Sequence, residues 1–299
     1  MKIGFSSTVC PDLNLDKLLS TAASLGVNGI ELCGWAPGQQ SSVVKQVADD
    51  PVAVRKMLGD KDLELVCLGC PAILTFYSRR EVEAELAGLV EYIELASRLA
   101  CPLVSIRAGV VETWDYDRAA RSRLGYTLRE IAPLALNNGV TIVVENSGDF
   151  PASNDLWFTI DAVDHPAVRA CWNQRNALII GERPTRAVPR LGGKVGLVHL
   201  CDAGFDDRRM GPTYATMGQG DCEVVTQIEL LKGLTYEGYL MYDWPQQWMG
   251  TSPDPETALA DAVKFIRKCL ESEPVVLTAY KGDKYVPKLA PRNAVALGA

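Results

Sequence analysis

The chain has 299 residues, of which 47% are hydrophobic and 22% are charged, as in ordinary globular proteins. Its net charge of −7 at pH 7 disfavours nucleic acid as a partner, because an acidic surface repels phosphates. No apolar run reaches the roughly 20 residues that a membrane span needs, and the first residues resemble a strand rather than a signal peptide. The first expectation is a cytoplasmic protein with neither nucleic-acid nor membrane partners.

Short apolar runs alternate with longer amphipathic runs along most of the chain. Residues 2–7 are the first apolar run and predict a strand. Residues 15–26 predict a helix, which Asn14 or Asp16 can cap and which Gly26 can end. In chain order, further strands are predicted at 27–35, 63–70, 102–109, 140–146, 168–173, 195–202 and 238–244, and further helices at 81–100, 118–139 and 255–270.

Eight strands that alternate with helices predict a (β/α)8 TIM barrel over residues 1–271, an α/β fold. The alternative is an open doubly wound sheet, which usually has fewer strands and a G-x-G-x-x-G sequence after the first one. That sequence is absent here. Residues 272–299 lack helical periodicity and are predicted as a C-terminal arm. The arm is either a loose tail or a segment laid over the barrel or over a neighbouring subunit.

The nine cysteines are scattered along the chain, several of them within the apolar strand runs. Free cysteine in such a position behaves as a small hydrophobic side chain. Cys67 and Cys70 form a C-x-x-C pair, but in a strand they point to opposite faces, and no second pair completes a zinc site. The sequence therefore predicts reduced, buried thiols, which fits a cytoplasmic location.

Chemistry in a (β/α)8 barrel takes place at the C-terminal ends of the strands. Polar residues stand at most of these predicted strand ends, and they fall at one structural level of the barrel. From the second strand to the eighth they are Glu31, Arg107, Glu145, Asn146, Asn173, Arg175, Asn176, His199, Asp202 and Asp243.

Two interpretations of this polar level follow from the residue types. Burying Glu145 and Asp243 without partners costs several kcal/mol each, so something must compensate their charges. The two carboxylates, the imidazole of His199 and the amide oxygen of Asn173 could surround one divalent cation, either Mn²⁺, Mg²⁺, Co²⁺ or Zn²⁺. The alternative is a structural network in which the acids pair with a basic side chain: Arg107, Arg175 or Lys194.

Four segments carry a resemblance to a known family. They are "SLGVNGIEL" at the second strand, "GVTIVVEN" at the fifth, "VGLVHLCDA" at the seventh, and "GQGDCEVVTQIELLKGLTYEGYLMYDW", which contains a G-x-G-D loop, a helix and the eighth strand. By the order and spacing of these segments, the chain resembles the xylose isomerase-like TIM-barrel superfamily over most of residues 1–270. The resemblance is specifically to its sugar phosphate isomerase/epimerase group.

The resemblance implies one divalent metal, held by acids on strands five, six and eight and by a histidine on strand seven. The matching positions are Glu145, Asn173, Asp243 and His199. Asn173 departs from the family's aspartate and Asp243 from its glutamate, and Asn176 stands where a histidine is frequent. The amide carries no charge, and the shorter acid is retracted by about one methylene, so we expect a weak or absent metal.

The resemblance also implies proton transfer beside a carbonyl of a small sugar or polyol. One of the two catalytic acids, Glu145 and Asp243, removes a proton and the other returns one, while the metal stabilises the developing negative charge. Dehydratases of the group eliminate water with similar parts. The predicted substrate-binding residues are Glu31, Trp35, Arg107, Asn176 and Asp202.

For other side chains, position in the sequence gives weaker support for a role in substrate binding. A substrate carboxylate or phosphate could be held by an arginine, and Arg107 has the best position for it, at the end of a strand. The other arginines considered are Arg175, Arg208 and Arg209. The tryptophans near strand ends suit either a sugar ring or the core: Trp35, Trp114, Trp244 and Trp248.

Three hypotheses stand at this point. The first is a metal-dependent isomerase or epimerase, or a related dehydratase. The second, favoured by Asn173, is a divergent member that is metal-free or non-catalytic and binds carbohydrate. The third, a DNA-repair endonuclease with the same barrel, needs a histidine-rich metal cluster and conflicts with the acidic charge. A homo-oligomer is compatible with the family, whose substrate sites are sometimes completed by a neighbouring subunit.

Overall fold

Eight parallel strands close into a barrel in which the first strand pairs with both the second and the eighth. The computed structural model describes residues 1–36, 39–40, 42–75, 78–111, 117–206, 211–245 and 254–273. The closed ring confirms the predicted TIM barrel and excludes the open doubly wound sheet. In chain order the barrel strands are Lys2–Ser6, Gly29–Cys33, Glu64–Gly69, Leu103–Arg107, Thr141–Glu145, Val168–Asn173, Val195–Leu200 and Tyr239–Tyr242.

Helices connect consecutive strands and pack against the outside of the barrel. The first, Leu15–Leu25, is capped by Asn14, whose side chain accepts from the Lys17 backbone N–H, and ends at Gly26 with φ of 61°. Both predicted ends are thus confirmed, with Asn14 rather than Asp16 as the cap. The other helices are Ser42–Asp49, Pro51–Gly59, Arg79–Leu99, Asp117–Asn137, Ser153–Val163, Gln174–Leu178, Pro184–Leu191, Val224–Gly233 and Pro255–Glu271.

Several of these helices were not among the predicted elements. Among them are Ser42–Asp49, Ser153–Val163 and Pro184–Leu191, each of which spans about three turns or fewer. Two short antiparallel ribbons were also not predicted. One joins Trp35–Ala36 to Gln39–Gln40, and the other joins Asp202–Asp206 to Gly211–Ala215.

The barrel interior holds its own apolar cluster, separate from the larger core between strands and helices. Its buried members are Val66, Cys67, Val143, Cys171, Leu197 and Met241. All nine cysteines of the chain are free and buried, as the sequence predicts. In the part of the chain that the structure describes, no helix is long and apolar enough to cross a bilayer.

The last helix, Pro255–Glu271, ends at the predicted boundary of the barrel domain. Of the predicted arm 272–299, residues 274–299 lie outside the described residues. The division into barrel and arm therefore stays a prediction.

Candidate functional site

The polar residues of strands five to eight lie in one layer of the barrel interior. Side chains along a strand alternate between the two faces, so every second residue points the same way. Each of the four polar residues lies two positions after a member of the apolar interior cluster and therefore shares its inward face, nearer the C-terminal end. The pairs are Val143 and Glu145, Cys171 and Asn173, Leu197 and His199, and Met241 and Asp243.

His199 is the centre of this layer. Its Nδ1 lies 3.0 Å from Oε1 of Glu145 and 3.8 Å from Oδ2 of Asp243, and all three side chains are buried. One donor atom from each of the three residues lies within 4.8 Å of the others. Two carboxylates and one imidazole are a ligand set that suits a divalent cation, so this cluster could hold a metal.

Glu31 lies on the opposite edge of the histidine ring. Its Oε2 is 3.0 Å from Nε2 of His199, although neither atom is aligned with a hydrogen-bond partner. Its other oxygen, Oε1, accepts a hydrogen bond of 3.1 Å from the Ser105 hydroxyl. Glu31 is fully buried, and its described contacts position His199. Its predicted role in substrate binding stays a prediction.

Asn173 presents its amide nitrogen, not its oxygen, to the acid beside it. Nδ2 donates to Oε1 of Glu145 at 2.8 Å, while Oδ1 accepts from the Arg175 backbone N–H at 3.2 Å. The backbone N–H of Asn173 donates to Oδ1 of Asn146 at 2.7 Å, which fixes the strand end further. Asn173 therefore holds Glu145 in place, and its predicted role as a metal ligand stays a prediction.

Asp243 follows the eighth strand, and its carboxylate accepts a hydrogen bond from a residue that follows the first strand. The Thr8 hydroxyl donates to Oδ1 of Asp243 at 2.7 Å, across the seam where the barrel closes. Sequence reasoning missed Thr8, because its only signal was its place just after the first strand. Oδ2 of Asp243 points to the centre of the layer, where it faces His199 and Arg175 at 3.8 Å each.

Arg175 lies immediately beyond the sixth strand and is one of the most enclosed charges of the site. Its side chain is only 7% exposed, and Nη1 has no hydrogen-bond partner among the described residues. Nε and Nη2 reach Oδ1 of Asn176 only at 3.4 Å. The guanidinium lies 5.9 Å from the ring centroid of Trp244, which is fully buried. Trp244 is therefore a packing residue here.

The two acids of the layer have pKa values displaced in opposite directions. Burial alone would raise the pKa of Glu145, but hydrogen bonding and charge from His199, then Arg175 and Asn173, outweigh burial and lower it. For Asp243 burial dominates, and His199 and Arg175 only partly offset it, so its pKa is raised. At neutral pH Glu145 is the firmly ionised member, and Asp243 takes up a proton more readily.

The pKa of His199 is raised by its surroundings. Burial disfavours the imidazolium, but the adjacent Cys171 sulfur and the charges of Glu31 and Asp243 outweigh this. Burial raises the pKa of the Cys171 thiol to about 12, so at neutral pH that sulfur is uncharged. The carboxylates therefore supply the negative charge around the ring.

The remaining predicted substrate residues are placed unequally. Arg107 ends the fourth strand, half-buried; burial lowers the pKa of its guanidinium and the charge of Glu145 opposes this. Asn176 donates from Nδ2 to the Asn146 carbonyl at 2.7 Å. The backbone of Trp35 lies in a two-residue strand, and its side chain is outside the described part. Also outside it are Trp114, Arg208, Arg209 and Trp248.

Asp202 holds the G-x-G-D loop with both carboxylate oxygens. Together they accept four backbone N–H groups, which fill the lone-pair positions and argue against a direct contact with substrate. A side chain at Gly220 would place its Cβ 2.4 Å from Oδ1 of Asp202, so this close approach requires glycine. The donors are Ala203 at 3.0 Å, Gly218 at 2.8 Å, Gly220 at 3.0 Å and Cys222 at 3.1 Å.

The variant Asp202→Ala is expected to lower the free energy of unfolding by about 3 kcal/mol, because buried backbone donors lose a charged acceptor. The melting temperature should fall by about 6 °C in a thermal melt. Asp202→Asn, which keeps one acceptor oxygen, should lose less. Asp161→Ala, on the exposed outer surface, is the matched control. An unchanged melting temperature for Asp202→Ala would contradict the loop-holding role.

Solved structures with this fold include several enzymes, all at low sequence identity. A 3-keto-D-glucoside 4-epimerase from E. coli is 16% identical, with a TM-score of 0.73 over 90% of this chain and 100% of that one. A D-psicose 3-epimerase from Clostridium cellulolyticum H10 is 16% identical, with a TM-score of 0.73 over 91% and 100%. A probable 3-DHS dehydratase from Bacillus anthracis is 14% identical, with a TM-score of 0.73 over 89% and 99%.

These structural likenesses establish a common fold. Curated protein sequences gave no match. The family model for the xylose isomerase-like TIM barrel matches residues 19–269, a stretch that spans barrel strands two to eight and contains Glu145, His199 and Asp243. Because this match covers most of the 299 residues, the chain belongs to the xylose isomerase-like TIM barrel family.

Proposed function

We propose that the chain is an isomerase or epimerase of a small sugar or polyol, which moves a proton on a carbon beside a carbonyl. The supporting observation is the arrangement of Glu145 and Asp243, two buried carboxylates that approach the same nitrogen of His199 at the C-terminal end of the barrel. Proton removal and proton return need two such groups close to one substrate carbon. A dehydratase would share the first step and then expel water.

Glu145 is the proposed base and Asp243 the proposed acid. The lowered pKa of Glu145 keeps it ionised at neutral pH, and the raised pKa of Asp243 lets it carry a proton more easily. Two carboxyl groups whose environments push their pKa values apart are suited to opposite roles. Asn173 and Thr8 each donate one hydrogen bond that fixes the direction of the respective carboxylate.

A divalent metal fits the donor set of Glu145, His199 and Asp243, with Mn²⁺, Mg²⁺, Co²⁺ and Zn²⁺ as the candidates. When bound, it would supply positive charge for the oxygen that becomes negative during proton removal. This ligand set has one negative charge fewer than a site with an acid at position 173. The buried guanidinium of Arg175, 3.8 Å from Oδ2 of Asp243, competes with a cation for that oxygen. We therefore propose weak metal binding.

The names of the structural neighbours support a carbohydrate-like substrate. The E. coli and Clostridium proteins are named as epimerases of sugars or sugar derivatives, and the Bacillus anthracis protein as a probable dehydratase. We carry over only this class, a small polyhydroxylated molecule, to the present chain.

Hydrogen–deuterium exchange tests the proposal without knowledge of the final product. D-Fructose, D-psicose, D-tagatose and L-ribulose are incubated with the protein in D₂O, and loss of the proton beside the carbonyl is followed by NMR. We expect exchange for at least one ketose, faster with Mn²⁺, Mg²⁺, Co²⁺ or Zn²⁺ than with EDTA. Absence of exchange across this panel, and also with the keto acid D-fructuronate, under every metal condition would count against the function.

The second candidate function is a metal-free member that binds carbohydrate. Asn173 favours it, because its donor end faces Glu145 and its oxygen is already engaged. Metal analysis of the purified protein and thermal melts with added divalent ions distinguish the two candidates. A melting temperature that does not respond to any of the four ions would favour the metal-free member.

A further inference from the structure

Arg175 is a buried cation with an unused donor. The side chain is 7% exposed, yet Nη1 has no hydrogen-bond partner among the described residues. A buried donor without an acceptor is unfavourable, and the penalty is larger when the group is charged. Native structures rarely keep such a group unless a ligand or an ordered water completes it.

Nη1 faces the proposed reaction centre. Its nearest carboxylate oxygen in an ion pair is Oδ2 of Asp243 at 3.8 Å, the same atom that lies 3.8 Å from Nδ1 of His199. The rest of the guanidinium is held away from the centre by Trp244, at 5.9 Å from the ring centroid, and by the long contacts to Asn176. This packing fixes the plane of the guanidinium and leaves Nη1 on the side of Asp243.

With a divalent cation bound, the charges of the layer favour an anionic ligand. Glu31, Glu145 and Asp243 supply three negative charges, and the two guanidiniums of Arg107 and Arg175 supply two positive ones. With a neutral, metal-bound His199 and a divalent cation, the site carries one positive charge in excess. An acid at position 173 would cancel that excess, but Asn173 does not. A ligand with a single negative charge would neutralise the site.

We propose that Arg175 binds a carboxylate of the substrate, so that the site takes a sugar acid in preference to a neutral sugar. This inference rests on the proposed function for the identity of the reaction centre, and it names the substrate class. It also moves the expected carboxylate-binding role from Arg107, which the sequence favours, to Arg175. The planar guanidinium suits the two oxygens of a carboxylate better than a lysine would.

Matched pairs of ligands test the preference without turnover. D-Gluconate is compared with D-glucitol, D-glucuronate with D-glucose, and D-xylonate with xylitol, by calorimetric titration and thermal melts, with Mn²⁺ and with EDTA. We expect at least one acid to bind roughly tenfold or more tightly than its neutral counterpart. Equal or weaker binding of every acid would overturn the proposal.

Variants at Arg175 then test whether this residue causes the preference for the acid. Arg175→Gln should reduce the preference for the acid to about twofold or less, and Arg175→Lys should keep only part of it. Arg169→Gln is the control, because Arg169 lies on the sixth strand, just before Arg175 in the chain, is exposed, and donates hydrogen bonds to the carbonyls of Gly193 and Val195. If Arg175→Gln does not fold, an Arg175→Lys chain with undiminished preference overturns the proposal instead. Because this readout is binding, it can succeed or fail independently of hydrogen–deuterium exchange.

Discussion

Glutamine in place of Glu145 is expected to slow hydrogen–deuterium exchange of a reactive substrate by roughly 1,000-fold, while the protein still folds and binds the ligand. The amide has nearly the shape of the carboxylate. Its oxygen can still accept the 2.8 Å hydrogen bond that Asn173 donates to Glu145. The variant loses a group that can take up a proton, which is the step that we propose for Glu145, and with it the charge of one candidate metal ligand.

Asparagine in place of Asp243 separates the two halves of the proposed reaction. Because Glu145 remains, the Asp243→Asn chain should still exchange the substrate proton with solvent but should form little or no product. The Glu145→Gln chain should do neither. This difference between exchange and product formation is specific to a two-base mechanism, since a merely structural defect would reduce both rates together.

The measurement is NMR in D₂O, with a second assay of product by chromatography. Asp161→Asn removes a carboxylate from the outer surface, where Asp161 pairs with Lys194, and should leave both rates unchanged. Exchange by Glu145→Gln at the wild-type rate would eliminate Glu145 as the base. Loss of ligand binding in that variant would point to a positioning role.

Aspartate in place of Asn173 is expected to raise the affinity for a divalent metal by roughly 10- to 100-fold, because the number of charged ligands tunes affinity. Without metal the same change should be destabilising. An ionised aspartate cannot donate to Oε1 of Glu145, so the present 2.8 Å hydrogen bond would be replaced by a contact between like charges. A bound cation relieves that repulsion.

Both effects are measured by the melting temperature of each variant in EDTA and with added metal. Relative to the wild-type chain, Asn173→Asp should have a lower melting temperature in EDTA and a larger rise in melting temperature on addition of Mn²⁺ or Zn²⁺. Calorimetry should give the tighter metal affinity directly. Asn137→Asp adds the same charge at the exposed C-terminal end of a helix, away from the site, and should not change the rise in melting temperature on addition of metal. Unchanged metal affinity in Asn173→Asp would contradict a metal site at Glu145, His199 and Asp243.

Much of the fold is predictable from short-range patterns. The barrel strands are runs of apolar residues such as those around Val143, and a buried parallel strand needs no other signal. Capping at Asn14 and termination at Gly26 are equally local. The short helices and ribbons beyond the strand ends escaped prediction because their stability comes from packing on the barrel, which a local window does not contain.

The candidate site is predictable to the level of residues but not of atoms. The rule that strand ends carry the chemistry predicted that Glu145, His199 and Asp243 lie at one level, and their donor atoms lie within 4.8 Å of one another. The sequence could not indicate that Asn173 directs its amide nitrogen to Glu145. Nor could it indicate that the carboxylate oxygens of Asp202 accept hydrogen bonds from the backbone of a loop. The sequence also did not indicate that Arg175 is buried, because burial of a charged residue just beyond a strand depends on the tertiary structure around it.

The hydrogen bond between Thr8 and Asp243 joins residues 235 positions apart. During synthesis the proposed acid therefore leaves the ribosome long after the first strand, and nothing can hold its carboxylate until the two ends of the sheet meet. An incomplete chain would carry Glu145 and His199 but lack this acid, and it could not complete the proposed reaction. Catalytic competence of this protein would thus arise in the same event that completes its architecture.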